Sequence, residues 1–195
     1  MPYTPKILAF AGSLRQESFN KKLVKIAVKG AQEAGAQVTL IDLKDYPLPV
    51  FDEDLEKQGL PVNAKRLKDL FIAHQGLLIA CPEYNSSITA VLKNTIDWVS
   101  RPVPNEAPLA GFNNKVGALM SASPGALGGL RGLVHVRSTL SNINVLLIPQ
   151  QVAVSKAHEA FNSDGSLKDP KQHAAIEQLG AYVTHMLKKL NVTIE

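Results

Sequence analysis

Hydrophobic positions along the chain alternate between short unbroken runs and helical stripes. Ile7, Leu8, Ala9, Phe10 and Ala11 form an apolar run of the length expected of a strand buried on both faces. After a polar bend, Leu23, Ile26, Ala27 and Ala34 recur at spacings of three, four and seven with lysines on the remaining face, the pattern of an amphipathic helix. The rhythm then repeats, predicting strands over 38–41, 76–81, 116–121 and 145–148 and helices over 64–74, 88–100 and 127–140. A long last helix starts at Asp169 and Pro170, an N-cap followed by a first-turn proline, and puts Ile176, Leu179, Val183, Met186, Leu187 and Leu190 on one face. Strands alternating with helices imply right-handed crossovers and a parallel sheet covered on both sides. Five such strands predict an α/β doubly wound sheet of order 2-1-3-4-5.

Two segments break the rhythm. Residues 46–62 (YPLPVFDEDLEKQGLPV) and 101–114 (RPVPNEAPLAGFNN) are rich in Pro and Gly and longer than ordinary connections, which marks them as candidate functional walls. No repeat, low-complexity tract or linker divides the 195 residues, so one domain over 1–195 is expected.

Composition narrows the class. A hydrophobic content of 45% and a charged content of 19% are those of a soluble globular protein. No apolar run reaches membrane-spanning length, and the opening MPYTPKILAF has neither the charged region nor the apolar core of a signal peptide, so a cytoplasmic location is expected. The lone cysteine, Cys81, allows no internal disulfide and reads as a buried small side chain. The formal net charge is +4, with a local cluster at Lys21, Lys22, Lys25 and Lys29. No aromatic residues interleave with those lysines, so the cluster reads as a solvated helix face rather than a nucleic-acid surface. A modest positive field still favours encounter with small anions.

The chemistry concentrates where strands hand over to helices. In AFAGSLRQESFNKKL, residues 9–23, the P-loop pattern fails at Glu17 and the dinucleotide fingerprint fails at Leu14. What remains is Gly12 with Ser13, Arg15, Ser18 and Asn20, a tight turn with hydroxyl and amide donors and a cation, aimed at a helix N-terminus where an anion is favoured. Ser18 or Asn20 would alternatively serve only as an N-cap. The third strand ends in Pro82, Glu83, Tyr84, Asn85, Ser86 and Ser87. There a proline-stiffened bend can turn backbone amides toward a planar polar ring, or one serine can simply cap the next helix. The fourth strand ends in Ser121, Ala122, Ser123, Pro124 and Gly125, followed by Gly128 and Gly129. Absent side chains there admit either a ligand or close helix packing. With the predicted order, strands 1, 3 and 4 are neighbours ~4.8 Å apart, so all three loops share one carboxyl edge, where ligands of such sheets bind. An anion site, outward amides and glycines together suit a phosphorylated ring system.

The segments GSLRQESFNKKL and PEYNSSITAVLKNTIDWVSR, taken together, closely resemble the NADPH-dependent FMN reductase family, which includes flavin, quinone, azo-dye and chromate reductases. The resemblance implies a flavodoxin-like fold with FMN in the crevice. It implies that Ser13, Arg15, Ser18 and Asn20 bind the FMN phosphate, that Pro82, Glu83, Tyr84 and Asn85 hold the isoalloxazine ring, and that Ser121, Ser123 and Gly125 close the other side. Where many relatives carry Pro-Gly after the second motif, this chain has Ile88, Thr89 and Ala90, so the turn into the following helix is expected to differ.

The resemblance further implies NADPH or NADH as hydride donor and a small acceptor: a quinone, azo compound, metal oxyanion or free flavin. Donor and acceptor would alternate at one flavin face in a ping-pong mechanism. The hard chemistry then belongs to the cofactor, which agrees with the absence of an evident Ser/His/Asp set or paired catalytic carboxylates. His74, His135, His158, His173 and His185 are too separated for metal-ligand spacing. Members of the family often form homodimers or homotetramers that shape the flavin pocket, and residues 101–114 are the candidate wall. The alternatives are a flavodoxin-type electron carrier, disfavoured by the basic balance, and a non-catalytic flavin-binding module.

Overall fold

The computed structural model describes residues 3–191. Strand β1 (Lys6–Ala11) leads through the first polar loop into helix α1 (Phe19–Glu33), then β2 (Gln37–Leu40), a 3-10 turn (Leu43–Asp45), α2 (Glu53–Glu56) and α3 (Val62–Ala73). Strand β3 (Gly76–Ala80) is followed by two short strands, β4 (Glu83–Tyr84) and β5 (Ser87–Ile88), and by α4 (Ala90–Val99). Strand β6 (Lys115–Ala122), α5 (Leu130–Asn142), β7 (Val145–Val154), α6 (Ala157–Ala160) and α7 (Pro170–Asn191) complete the chain. The main sheet is parallel, in the order β2-β1-β3-β6-β7. Because β4 and β5 form a separate antiparallel hairpin, this is the expected 2-1-3-4-5 order of a flavodoxin-like sheet.

The burial of each strand follows from its place. Strands β3 and β6 are buried throughout, and β1 from its second residue, as their apolar runs require, while the edge strand β2 is half-buried to exposed. Helices α1 and α7 cover one face; α3, α4 and α5 cover the other. The first face is unusually close. A Cβ at Gly30 would lie 2.0 Å from the Glu177 carbonyl oxygen, and one at Gly180 would lie 2.0 Å from that of Ala27. Glycine at both positions lets the two backbones touch.

Several expected boundaries move by a residue or two, and three larger shifts have a physical reason. The third strand stops at Ala80, one residue early. The helix expected from 88 begins at Ala90, because Ile88 pairs with Glu83 in the hairpin and the Thr89 hydroxyl accepts the Leu92 N–H as N-cap. The helix expected from 127 begins at Leu130, after Gly128 and Gly129 take positive φ. The last strand runs past Pro149 to Val154. An irregularity lets β7 advance four residues, Leu147 to Gln151, while β6 advances two, Gly117 to Leu119, and an edge strand tolerates proline at such a bulge.

The two long segments are strapped to the helices of the second face. In the first, the Pro49 carbonyl accepts both Trp98 Nε1 and Asn94 Nδ2, Phe51 packs edge-on to Trp98 at 5.0 Å, and Glu56 pairs with Arg101 at 2.7 Å. In the second, buried Lys68 donates to the Arg101 carbonyl and pairs with Glu106 at 2.9 Å. Both loops are thereby tied to α3 and α4. The first strap also lines, with Leu14, an apolar groove beside the first polar loop.

Candidate flavin-binding site

The register Ala11 to Ala80 to Met120 brings the carboxyl ends of β1, β3 and β6 level. Their loops converge on a small cleft of about 70 Å³. Ser13, Arg15, Ser18, Phe19 and Asn20 line it from the first loop, Pro82, Glu83 and Tyr84 from the second, and Ala122, Ser123 and Pro124 from the third. Asn85, Ser121 and Gly125, also expected at the site, do not line it.

The first loop supplies the anion-binding chemistry. Ser18 is the N-cap of α1, its hydroxyl accepting the Lys21 N–H, and the first turn of that helix holds no acidic residue. The positive end of the helix dipole is thus left facing the cleft. Ser13 is buried and its Oγ accepts the Arg15 N–H at 3.3 Å, which folds the loop back and places the Arg15 side chain at the rim. Asn20 has a second task. Its Nδ2 donates to the Ala122 carbonyl at 2.8 Å and its Oδ1 accepts the Ala122 N–H at 3.0 Å, so the side chain expected to bind phosphate bolts α1 to the end of β6. A hydroxyl pair, a guanidinium and a helix N-terminus in so small a space have the chemistry to hold an anionic group such as a phosphate.

The second loop is a β-hairpin. Asn85 and Ser86 have φ of 49° and 67°, the left-handed pair that a two-residue type I′ turn demands. Tyr84 and Asn85 are accordingly exposed at its tip. Neither Ser86 nor Ser87 caps a helix; that task falls to Thr89, whose hydroxyl also donates to the Gly12 carbonyl at 2.8 Å and joins the first two loops. Glu83 lines the cleft, and its carboxylate is engaged by the start of α5. Its Oε1 accepts Arg131 Nε and a terminal Arg131 nitrogen at 3.0 and 2.7 Å, and its Oε2 accepts the Gly132 N–H at 2.9 Å. Burial pushes its acidity down, but the Gly132 N–H and the Arg131 guanidinium outweigh burial and hold the carboxyl below the usual carboxylate range.

The third loop is built for packing. Ser123 Oγ accepts the Gly125 N–H, and Gly125 is exposed. Ser121 is fully buried, and its hydroxyl has no hydrogen-bond partner among the described residues. A Cβ at Gly129 would lie 2.0 Å from that hydroxyl, and its φ is +92°. Cys81 is buried, its thiol pushed well up by burial, and it serves as core. Beyond the expected site residues, Phe19, Ala122 and Pro124 line the cleft, and Thr89 and Arg131 join the loops.

The sheet order and its flanking helices define a flavodoxin-like protein with a polar cleft at the carboxyl edge. Residues 5–159 match the family described as NADPH-dependent FMN reductase, and the chain belongs to that family. It is similar to an NAD(P)H-dependent FMN reductase of Pseudomonas aeruginosa, 37% identical over 174 residues that span 89% of this chain and 90% of the relative. It is similar also to a quinone reductase of Pseudomonas putida, 30% identical with 91% and 94% covered. Among solved structures, the flavoenzyme NAD(P)H:(acceptor) oxidoreductase of Paracoccus denitrificans superposes with a TM-score of 0.80 at 26% identity, covering 95% of this chain and 98% of that one.

Proposed function

We propose that the protein is an FMN-dependent NAD(P)H oxidoreductase that passes electrons to a small acceptor such as a quinone, azo compound, metal oxyanion or free flavin. The observation that carries this reading is the cleft where three loops of the family-matched region meet at the carboxyl edge of the sheet. When bound, FMN supplies two-electron transfer between a reduced nicotinamide and an acceptor.

The chain's own residues bind and orient. Ser13, Arg15, Ser18 and the first N–H groups of α1 hold the phosphate; Asn20 keeps that helix at the end of β6. Pro82, Tyr84 and the hairpin backbone, with Asn85 at the tip, form one wall for the ring, and Ser123 with Gly125 borders the other. Donor and acceptor use the same open face in turn, so the mechanism is ping-pong. The chain acts as one domain in the cytoplasm, as a homodimer or homotetramer, without nucleic acid or membrane as partner. In support, no helix among the described residues is long and apolar enough to cross a membrane, and Leu127, Leu130 and Val134 leave an exposed apolar strip on and before α5.

Steady-state kinetics test the reading. Initial rates with NADPH or NADH and a small quinone should give parallel double-reciprocal lines; intersecting lines would show separate donor and acceptor sites. Negligible oxidation of both dinucleotides by FMN-loaded protein, with several acceptors tried, would leave an electron carrier or a binding module in place of the reductase.

A further inference from the structure

The hairpin β4–β5 is fastened to one face of one helix. Glu83, on its first strand, meets Arg131 and Gly132; Ser87, on its second, lies 2.8 Å from His135 Nδ1, one turn further along α5. Gly132 fits this junction because a Cβ there would lie 3.2 Å from the Ser87 carbonyl oxygen and 3.3 Å from the Glu83 Cβ. The N-cap of α5, Gly129, has no side chain to cap with. The Glu83 carboxylate therefore does the capping, from a strand 46 residues earlier (129 − 83). The second and third loops are thus one mechanical unit, with Glu83 as its central bond.

We infer that Glu83 is a positioning residue for the flavin ring: it acts through the hairpin, by setting where the wall formed by Pro82 and Tyr84 stands against the third loop, and makes no ring contact with its own carboxylate. This rests on the proposed function and goes beyond it, since it separates two classes of site residue. First-loop residues act on the phosphate and discriminate FMN from riboflavin. Glu83 acts on the ring wall and changes the affinity for both flavins by the same factor. A group that only stabilises α5 would change the melting temperature and leave the affinity of the folded protein where it was.

The experiment measures FMN and riboflavin binding to the apoprotein of the wild type and of Glu83→Gln by quenching of flavin fluorescence, at a temperature well below the melting transition of each. The expected result is a loss of about tenfold for both flavins, with their affinity ratio preserved. Unchanged affinities despite a lower melting temperature would reduce Glu83 to a helix cap. Loss for FMN alone would assign it to the phosphate. Either result overturns the inference. If Glu83→Gln does not fold, Arg131→Met keeps the Gly132 cap, removes the guanidinium, and is judged by the same ratio with a smaller loss of about threefold. Wild-type protein that binds neither flavin would sink the functional reading itself, an outcome distinct from a variant that binds like wild type.

Discussion

Two buried charges stand at opposite edges of the sheet and meet opposite fates. At the carboxyl edge the Glu83 side chain is 8% exposed, yet three N–H donors converge on it and hold it ionised below the usual carboxylate range. At the amino edge Lys115, 4% exposed at the start of β6, donates to the His74 carbonyl, and no carboxylate pairs with it among the described residues. Burial alone then governs, and its acidity rises until the ammonium titrates at about 8. One charge is firmly kept and the other readily lost, and Lys115 is the more deeply buried residue of the two, Glu83 as a whole being half-buried. The number and aim of the partners make the difference. The site edge spends its polar groups on holding loops in place, while the far edge carries a charge with little to do.

The largest expected effect breaks the carboxyl edge. Gly129→Ala forces an L-residue to φ +92° and sets a Cβ 2.0 Å from Ser121 Oγ. Left-handed strain of ~1–2 kcal/mol and overpacking of ~1–3 kcal/mol add to about 2–5 kcal/mol. At ~2–4 °C per kcal/mol for a chain of this size, the melting temperature should fall by roughly 5–20 °C. A thermal scan showing no change would mean that the start of α5 is loosely held, and the contrast between the edges would fail.

Next in size is a change in ligand binding that leaves stability alone. Arg15 is exposed at the cleft rim, where its side chain makes no hydrogen bond or ion pair among the described residues. A charge-assisted hydrogen bond to phosphate contributes ~1.5–3 kcal/mol, reduced here by solvent, so Arg15→Ala should weaken FMN binding about tenfold. Riboflavin affinity and the melting temperature should not move. An equal loss for both flavins, read by fluorescence quenching, would place Arg15 at the ring instead.

Smaller still is a pH effect that sharpens the comparison. The Lys115 value of about 8 lies below its ordinary 10.5, so between those limits the unfolded chain binds more protons and stability rises with pH. Below about 8 the buried ammonium is a cost. Lys115→Met should therefore stabilise the protein at pH 7, with the advantage fading as pH rises toward 10.5. Glu83 contributes with its own sign: its depressed pKa is stabilising above the ordinary carboxylate range, and that contribution is lost as pH falls through the folded value. Urea unfolding across pH 3–10 separates the two windows. A Lys115→Met curve parallel to wild type from pH 7 to 10 would refute the assignment.

Much of this edge was legible in the sequence because strand ends and polar bends are local signals. The apolar runs at 7–11, 76–81 and 116–121 placed three loops on one edge, and the doubly wound order followed. What stayed hidden was long-range. Nothing near Glu83 announces that its partners lie at 131 and 132, nor that Asn20 would spend both amide atoms on Ala122. The type I′ hairpin was masked because its central pair is Asn-Ser rather than the Asn-Gly such turns prefer. The anchoring of 46–62 and 101–114 was hidden too, because length and proline mark a loop without naming its partners, here Trp98, Asn94 and Lys68.

The smallest expected effect concerns Ser121, and it bears most directly on whether this edge is built for ligand or for packing. Its hydroxyl is fully buried, unpaired among the described residues and pressed toward Gly129. An unsatisfied buried hydroxyl costs ~1–3 kcal/mol of desolvation, whereas a methyl group of similar shape costs nothing of the kind. Ser121→Ala should therefore be neutral or stabilising by about 1 kcal/mol, a rise of roughly 2–4 °C. FMN affinity should not change, since the cleft is lined without Ser121. It should also soften Gly129→Ala only in part, because a Cβ at 129 would still lie 2.9 Å from the Cβ of residue 121. A drop in FMN affinity for Ser121→Ala at unchanged stability would mean that the hydroxyl turns outward to meet the flavin, and the third loop would then belong with the first, as a reader of the ligand rather than a support behind it.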